Sequence, residues 1–137
     1  MSKLLRRAKV NYEYAVDSKK RIKTDDIYAD YCCYHLQQSI EFTVKYIVEM
    51  QGDKYFETHD IRKNLALIND DDLKSLISDI RKMASTLNEW EANSRYNDEF
   101  FAMNEDIDDA IKIAEKLINY ADTLQIEKED EYEDMEL

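Results

Sequence analysis

Between Ile27 and Gln51 apolar residues recur every three or four positions, at Tyr28, Cys32, Leu36, Ile40, Val44 and Ile47 with Val48. Tyr31, Phe42, Tyr46 and Met50 widen that stripe until the segment is apolar round most of its circumference. The pattern predicts a long central helix over 27–51 that needs neighbours on several sides. Its polar remainder is a narrow seam of Asp30, Gln37, Glu41, Lys45 and Glu49, expected to face solvent, with Glu41 four residues before Lys45 in the favourable order for a surface pair. Before it, Leu4, Leu5, Ala8, Tyr12, Ala15 and Val16 share one face of a helix expected from Ser2, its cap, to Ser18. Thr24 or Asp25 is placed to cap the central helix, and Gly52 to end it in the left-handed conformation. After it, a short helix is expected over 59–68 with Thr58 as cap. A fourth helix opens at Asn69-Asp70-Asp71-Asp72, keeps its stripe from Leu73 to Trp90 and ends between Asn93 and Tyr96. The segment SRYNDEFFAMN breaks the period and reads as a loop whose Phe100, Phe101 and Met103 tuck into the bundle. Asn104 then caps a fifth helix ending near Gln125, and the acidic IEKEDEYEDMEL that follows reads as disordered or as frayed helix. The expected fold is all-α: an antiparallel bundle of four longer helices plus one short helix. It forms a single domain over 1–125 with an acidic tail over 126–137.

Composition narrows the picture. With no proline and one glycine in 137 residues, the punctuation that hairpins require is missing. No apolar run approaches the roughly 18 residues of a membrane span. The start, MSKLLRRAKVNYEY, lacks the apolar region of a secretory signal, so a cytoplasmic location and no membrane partner are expected. The two cysteines, Cys32 and Cys33, are neighbours on one helix and diverge by about 100°, which makes them reduced core thiols. The net charge of −12 is segregated. Residues 1–23 carry eight basic and two acidic side chains (+6), residues 24–103 eight and sixteen (−8), and residues 104–137 three and thirteen (−10). That balance argues against a general nucleic-acid binder and against DNA as a partner. The basic N-terminal cluster reads as solvated surface facing the acidic tail.

Few residues suggest chemistry. Arg95 and Tyr96 combine a guanidinium fork suited to phosphate with a stacking face; a salt bridge to an acidic neighbour is the plainer role. His59 opens the short helix and could contact a nucleotide or a partner; a hydrogen bond that fixes the loop is the plainer role. His35 and Gln38, three apart on the central helix, either read a ligand across a groove or satisfy each other inside the bundle. Cys32 with His35 has half the spacing of a metal site, but no second pair accompanies it and Glu-x-x-His does not occur, so neither metal nor cofactor is expected.

Three passages in order carry a family resemblance. Tyr34-His35-Leu36-Gln37-Gln38-Ser39-Ile40-Glu41, with Lys45 following, resembles the central-helix pattern of the HEPN family. Gly52-Asp53-Lys54-Tyr55-Phe56-Glu57-Thr58-His59-Asp60-Ile61 resembles its Gly, spacer, Thr-His-Asp-Leu passage. Asn93-Ser94-Arg95-Tyr96-Asn97-Asp98 resembles its Ala-Arg-Tyr-Pro-Asp stretch. The resemblance implies a helical homodimer and two functional branches. One is a metal-independent ribonuclease using an Arg followed four to six residues later by a His. Here Phe100 and Phe101 stand in those later positions and both histidines precede Arg95, so no Arg in the chain has such a His. The other branch is the non-catalytic partner of a minimal nucleotidyltransferase in a toxin-antitoxin-like pair, with nucleotide or RNA as ligand. The chain itself has no Gly-Ser with paired aspartates on a strand, the mark of the transferase. The expectation is therefore a binding and regulatory protein with no catalytic residues, using Arg95, Tyr96, His59, His35, Gln38 and Lys45. A ribonuclease with a displaced or degenerate site is one alternative, and an interaction module working through the acidic tail is another.

Overall fold

A computed structural model describes residues 2–136, with side chains described through residue 129. The described elements are five α-helices and a 3₁₀ turn: α1 (Leu4–Arg21), α2 (Ile27–Met50), α3 (Ile61–Leu65), the turn Asp71–Leu73 leading into α4 (Lys74–Asn93), and α5 (Asn104–Glu136). No strand occurs among the described residues.

The ends follow local chemistry. Ser2 Oγ accepts the Leu4 N–H at 3.1 Å and Asp25 Oδ1 accepts the Ile27 N–H at 3.1 Å, so both hydroxyl and carboxylate satisfy orphan donors at helix starts. The short third helix begins two residues later than its pattern suggests. Thr58 Oγ1 is taken by the Asp60 N–H, and Asp60 Oδ1 accepts from Arg62 and so supplies the cap. At the far end of α2, Gly52 adopts φ +91°. Nothing lies within 4 Å of where its Cβ would stand, so only backbone strain opposes a side chain there. Gly52→Ala should therefore lower stability by about 1 kcal/mol, read from the midpoint of urea unfolding.

α2 is the axis of the bundle. It packs most extensively along α1 and then against α5, α4 and α3. The main core joins Cys32, Cys33, Leu36, Ile40 and Val44 of α2 to Ile80, Leu87 and Trp90 of α4 and to Ile107, Ala114 and Leu117 of α5. A second, smaller cluster of Leu4, Leu5, Tyr46 and Ala121 closes the end where α1 begins and α2 finishes. Both cysteines are fully buried and free.

Three expectations change. The polar seam of α2 does not face solvent along its length: Gln37, Glu41 and Lys45 are buried, and only its ends, Asp30 and Glu49, reach the surface in part or fully. The reason is cover on that side, from α1 and from the segment before α3. The loop after α4 buries Ala102 and half-buries Phe100, whereas Phe101 is 77% and Met103 57% exposed. Phe100 packs against the main core as expected, and Ala102 joins it in place of Phe101 and Met103. Finally, α5 does not stop near Gln125 but continues to Glu136. Once a helix is nucleated by the bundle, adding residues such as Glu and Lys needs no further nucleation. Of the tail, Leu137 lies outside the described residues.

Candidate functional site

The polar residues of α2 meet side chains from three other elements. Gln38 Nε2 donates to Gln37 Oε1 at 2.6 Å, and Gln37 Nε2 donates to Glu41 Oε1 at 3.2 Å. Glu41, 2% exposed, is the hub. Its Oε2 lies 3.5 Å from Lys45 Nζ, one turn on, and its Oε1 lies 3.0 Å from Nδ1 of His59, delivered by the segment before α3. Lys45 is itself almost buried and its ammonium sits 5.6 Å from the centre of the Tyr55 ring. Two hydrogen-bonded partners and a cation compensate the buried carboxylate.

From His59 the chain of contacts continues to α4. His59 Nε2 lies 3.9 Å from Glu91 Oε1, and the same oxygen lies 3.5 Å from Arg95 Nη2. Arg95 also donates to the Glu91 carbonyl at 3.3 Å and to Tyr96 Oη at 3.4 Å, and its guanidinium carbon stands 4.3 Å from the centre of the Tyr34 ring and 4.9 Å from that of Tyr96. The arginine is thus committed on its face and at its edge. Beside it, Ser94 Oγ is buried without a hydrogen-bond partner.

Tyr34 links this group to His35, whose ring is 5.2 Å away, and His35 in turn lies 5.3 Å from Tyr14 of α1. His35 Nδ1 is 2.8 Å from Asn11 Oδ1. Because Asn11 Nδ2 donates to the Arg7 carbonyl, its oxygen faces the imidazole, and Nδ1 carries the donated proton. Burial lowers the His35 pKa below its usual 6.5. A depressed histidine pKa means that the unfolded chain takes up this proton first as pH falls. The His35 contribution is therefore intact above pH 6.5 and is lost as pH drops through the folded value. In urea unfolding, the decline in stability below pH 6.5 should be shallower in His35→Gln than in the parent protein.

All six residues marked in the sequence, His35, Gln38, Lys45, His59, Arg95 and Tyr96, belong to one continuous set of contacts. Sequence reasoning overlooked its hinges, Glu41 and Glu91. Both had a signal: Gln37, Glu41 and Lys45 are four apart on one face, and Glu91 precedes Arg95 by four. Arg7 and Tyr55 were also overlooked as site residues. They line a cleft of about 280 Å³ together with Phe42, Lys45, Thr58 and His59. Among the described residues no three His, Cys, Asp or Glu side chains are grouped to hold a metal ion, and no helix is long and apolar enough to cross a membrane.

A family model described as the HEPN domain matches residues 1–124. No curated protein sequence matches the chain. Among solved structures, the crystal structure of an archaeal HEPN homologue is similar at 22% identity, covering 90% of this chain and 98% of its own, with a TM-score of 0.57. At that identity the likeness is one of fold.

Proposed function

The chain belongs to the HEPN family, and on that premise we propose that it is a non-catalytic binding and regulatory member, acting in the cytoplasm as the homodimeric partner of a minimal nucleotidyltransferase in a toxin-antitoxin-like pair. The observation that carries this reading is that no Arg in the sequence is followed four to six residues later by a His, Phe100 and Phe101 standing in those positions after Arg95. Arg95 is held by Glu91 and stacked beside Tyr34 and Tyr96, while both nitrogens of His59 face carboxylates, Glu41 at 3.0 Å and Glu91 at 3.9 Å. Arg95, held in this way, helps to shape a recognition surface, and His59, 65% exposed, reaches it from a different segment of the chain. A nucleotide fits the reading through the exposed face of Tyr96 and through the cleft beside His59, where Arg7 has no carboxylate partner among the described residues. Exposed Tyr14, Tyr31, Tyr96 and Phe101 supply aromatic surface for self-association.

The test combines binding and cleavage. In metal-free buffer with labelled ATP and a structured RNA, the RNA should stay intact and ATP binding should fall at least about tenfold in Arg7→Ala, as for loss of a charge-assisted contact. Cleaved RNA would overturn the reading. One observation favours that second outcome: the fold brings His59 to the same Glu91 oxygen as Arg95, although His59 precedes Arg95 by 36 positions in the chain. A ribonuclease with a displaced site would then lose cleavage in His59→Ala and keep it after removal of all metal.

A further inference from the structure

Two clefts share Arg7 as a common wall. One, of about 280 Å³, opens between the start of α1, Phe42 and Lys45 of α2 and the segment from Tyr55 to His59; the other, of about 240 Å³, lies on the first turns of α1 against Lys3, Arg6, Val10 and Asn11. Their lining is strongly one-sided in charge. Lys3, Arg6, Arg7 and Lys45 stand against a single lining carboxylate, the exposed Glu57, and the second cleft has no acidic residue at all. Arg6 also borders a larger cleft, so Lys3 and Arg7 are the arms confined to this face. Neither they nor Arg6 enter an ion pair among the described residues, whereas Lys9, Lys19 and Arg21 of the same helix each hold an aspartate.

The cluster works against its own helix. A first turn is the positive end of the helix dipole and favours acidic side chains; α1 has none there, and Lys3 at the cap with Arg6 and Arg7 sets three cations together instead. Lys3 and Arg7, four apart, repel each other as well. An anion among them relieves both terms. Lys45 adds a charge held in place by burial: it is 8% exposed, and its acidic partner, Glu41 Oε2, stands 3.5 Å off, longer than a good hydrogen bond. Its N–H donors therefore remain for a group that enters the cleft. The positive zone is also short, because the next exposed charges of α1 after Arg7 are Glu13 and Asp17 and the chain carries −12 overall. That extent suits a few linked phosphates better than a nucleic-acid strand.

We propose that this face binds the phosphate chain of a nucleoside polyphosphate, with Arg7 bridging the two clefts, Lys45 donating within one and Lys3 with Arg6 closing on the other. The assignment deepens the nucleotide reading of the cleft beside His59 and rests on it. What it adds is that the phosphates, and not the base, carry the affinity.

The experiment is calorimetric titration of the full-length protein, free of metal, with adenosine, AMP, ADP, ATP, tripolyphosphate and citrate. Affinity should rise about tenfold with each phosphate from AMP to ATP, and tripolyphosphate should bind within about tenfold of ATP. Adenosine and citrate should bind at least about a hundredfold more weakly than ATP. Arg7→Ala should weaken ATP and tripolyphosphate alike, and Lys3→Ala should do so several-fold. Lys82→Ala, a change in a separate cleft between α4 and α5, should leave both unchanged. Adenosine as tight as ATP would overturn the phosphate assignment while leaving the nucleotide reading in place. Citrate as tight as tripolyphosphate would overturn the choice of phosphate over carboxylate. An equal loss in Lys82→Ala would reduce the binding to diffuse attraction and overturn the site, as would no binding of either ATP or tripolyphosphate. Oligoadenylates that bind ever more tightly with length would assign the surface to RNA and overturn it too.

Discussion

Glu41→Ala is expected to destabilise the protein by about 3 kcal/mol, the lower end of the range for breaking a buried ion pair from one side. The substitution removes the acceptor that holds Gln37 and His59 and leaves the Lys45 ammonium, whose side chain is only 11% exposed, without its counter-ion. The residual solvation of Lys45 is why the lower end applies. Urea unfolding followed by far-ultraviolet circular dichroism measures it. A loss below about 1 kcal/mol would mean that the pair behaves as an exposed one. The paired change Glu41→Leu with Lys45→Met separates the two contributions, because it removes both charges and keeps apolar volume. It should be much milder than Glu41→Ala, since no uncompensated charge remains in the interior.

Trp90→Ala should have a comparable or larger effect, about 3–5 kcal/mol, through lost burial and the cavity left behind. Trp90 is 2% exposed and heads the largest fully buried side chains. It also sits one turn before Ser94, whose N–H bonds to its carbonyl at 3.1 Å, so it fixes the last turn of α4, which carries Glu91 and leads directly into Arg95. The same variant should therefore loosen Arg95 over Tyr34. The check is thermal and urea unfolding together with the tyrosine ring resonances. Wild-type stability in Trp90→Ala would show that the surrounding helices collapse into the space.

These two residues mark what could and could not be read along the chain. Trp90 closes an amphipathic stripe of α4, and period alone placed it in the core, as it did Leu36, Ile40, Leu87 and Leu117. Glu41 obeyed the period of a solvent seam and is buried nonetheless. Periodicity tells which residues share a face; it does not tell what covers that face, and here α1 and the segment carrying His59 cover it. Ser39 illustrates the cover, its Oγ donating to the Ala8 carbonyl of α1 at 2.8 Å. The same limit explains Phe101 and Met103: their types suit a core, but burial at a loop depends on where the flanking helices leave room. The six marked polar residues came from short motifs, and their assembly into one network required the crossing of α2 by the segments before α3 and after α4.

The paired thiols of α2 bear on how the protein ages. Burial pushes Cys32 up to about 12 and raises Cys33 as well, with the Cys32 charge a further cause for Cys33. At neutral pH the Cys32 thiol therefore keeps its proton, and neither sulfur touches solvent. Oxidants and alkylating reagents therefore reach either sulfur only when the bundle opens. The resistance of these thiols to oxidation is set by the rate and extent of that opening, and their modification becomes a clock for the excursions of the central helix.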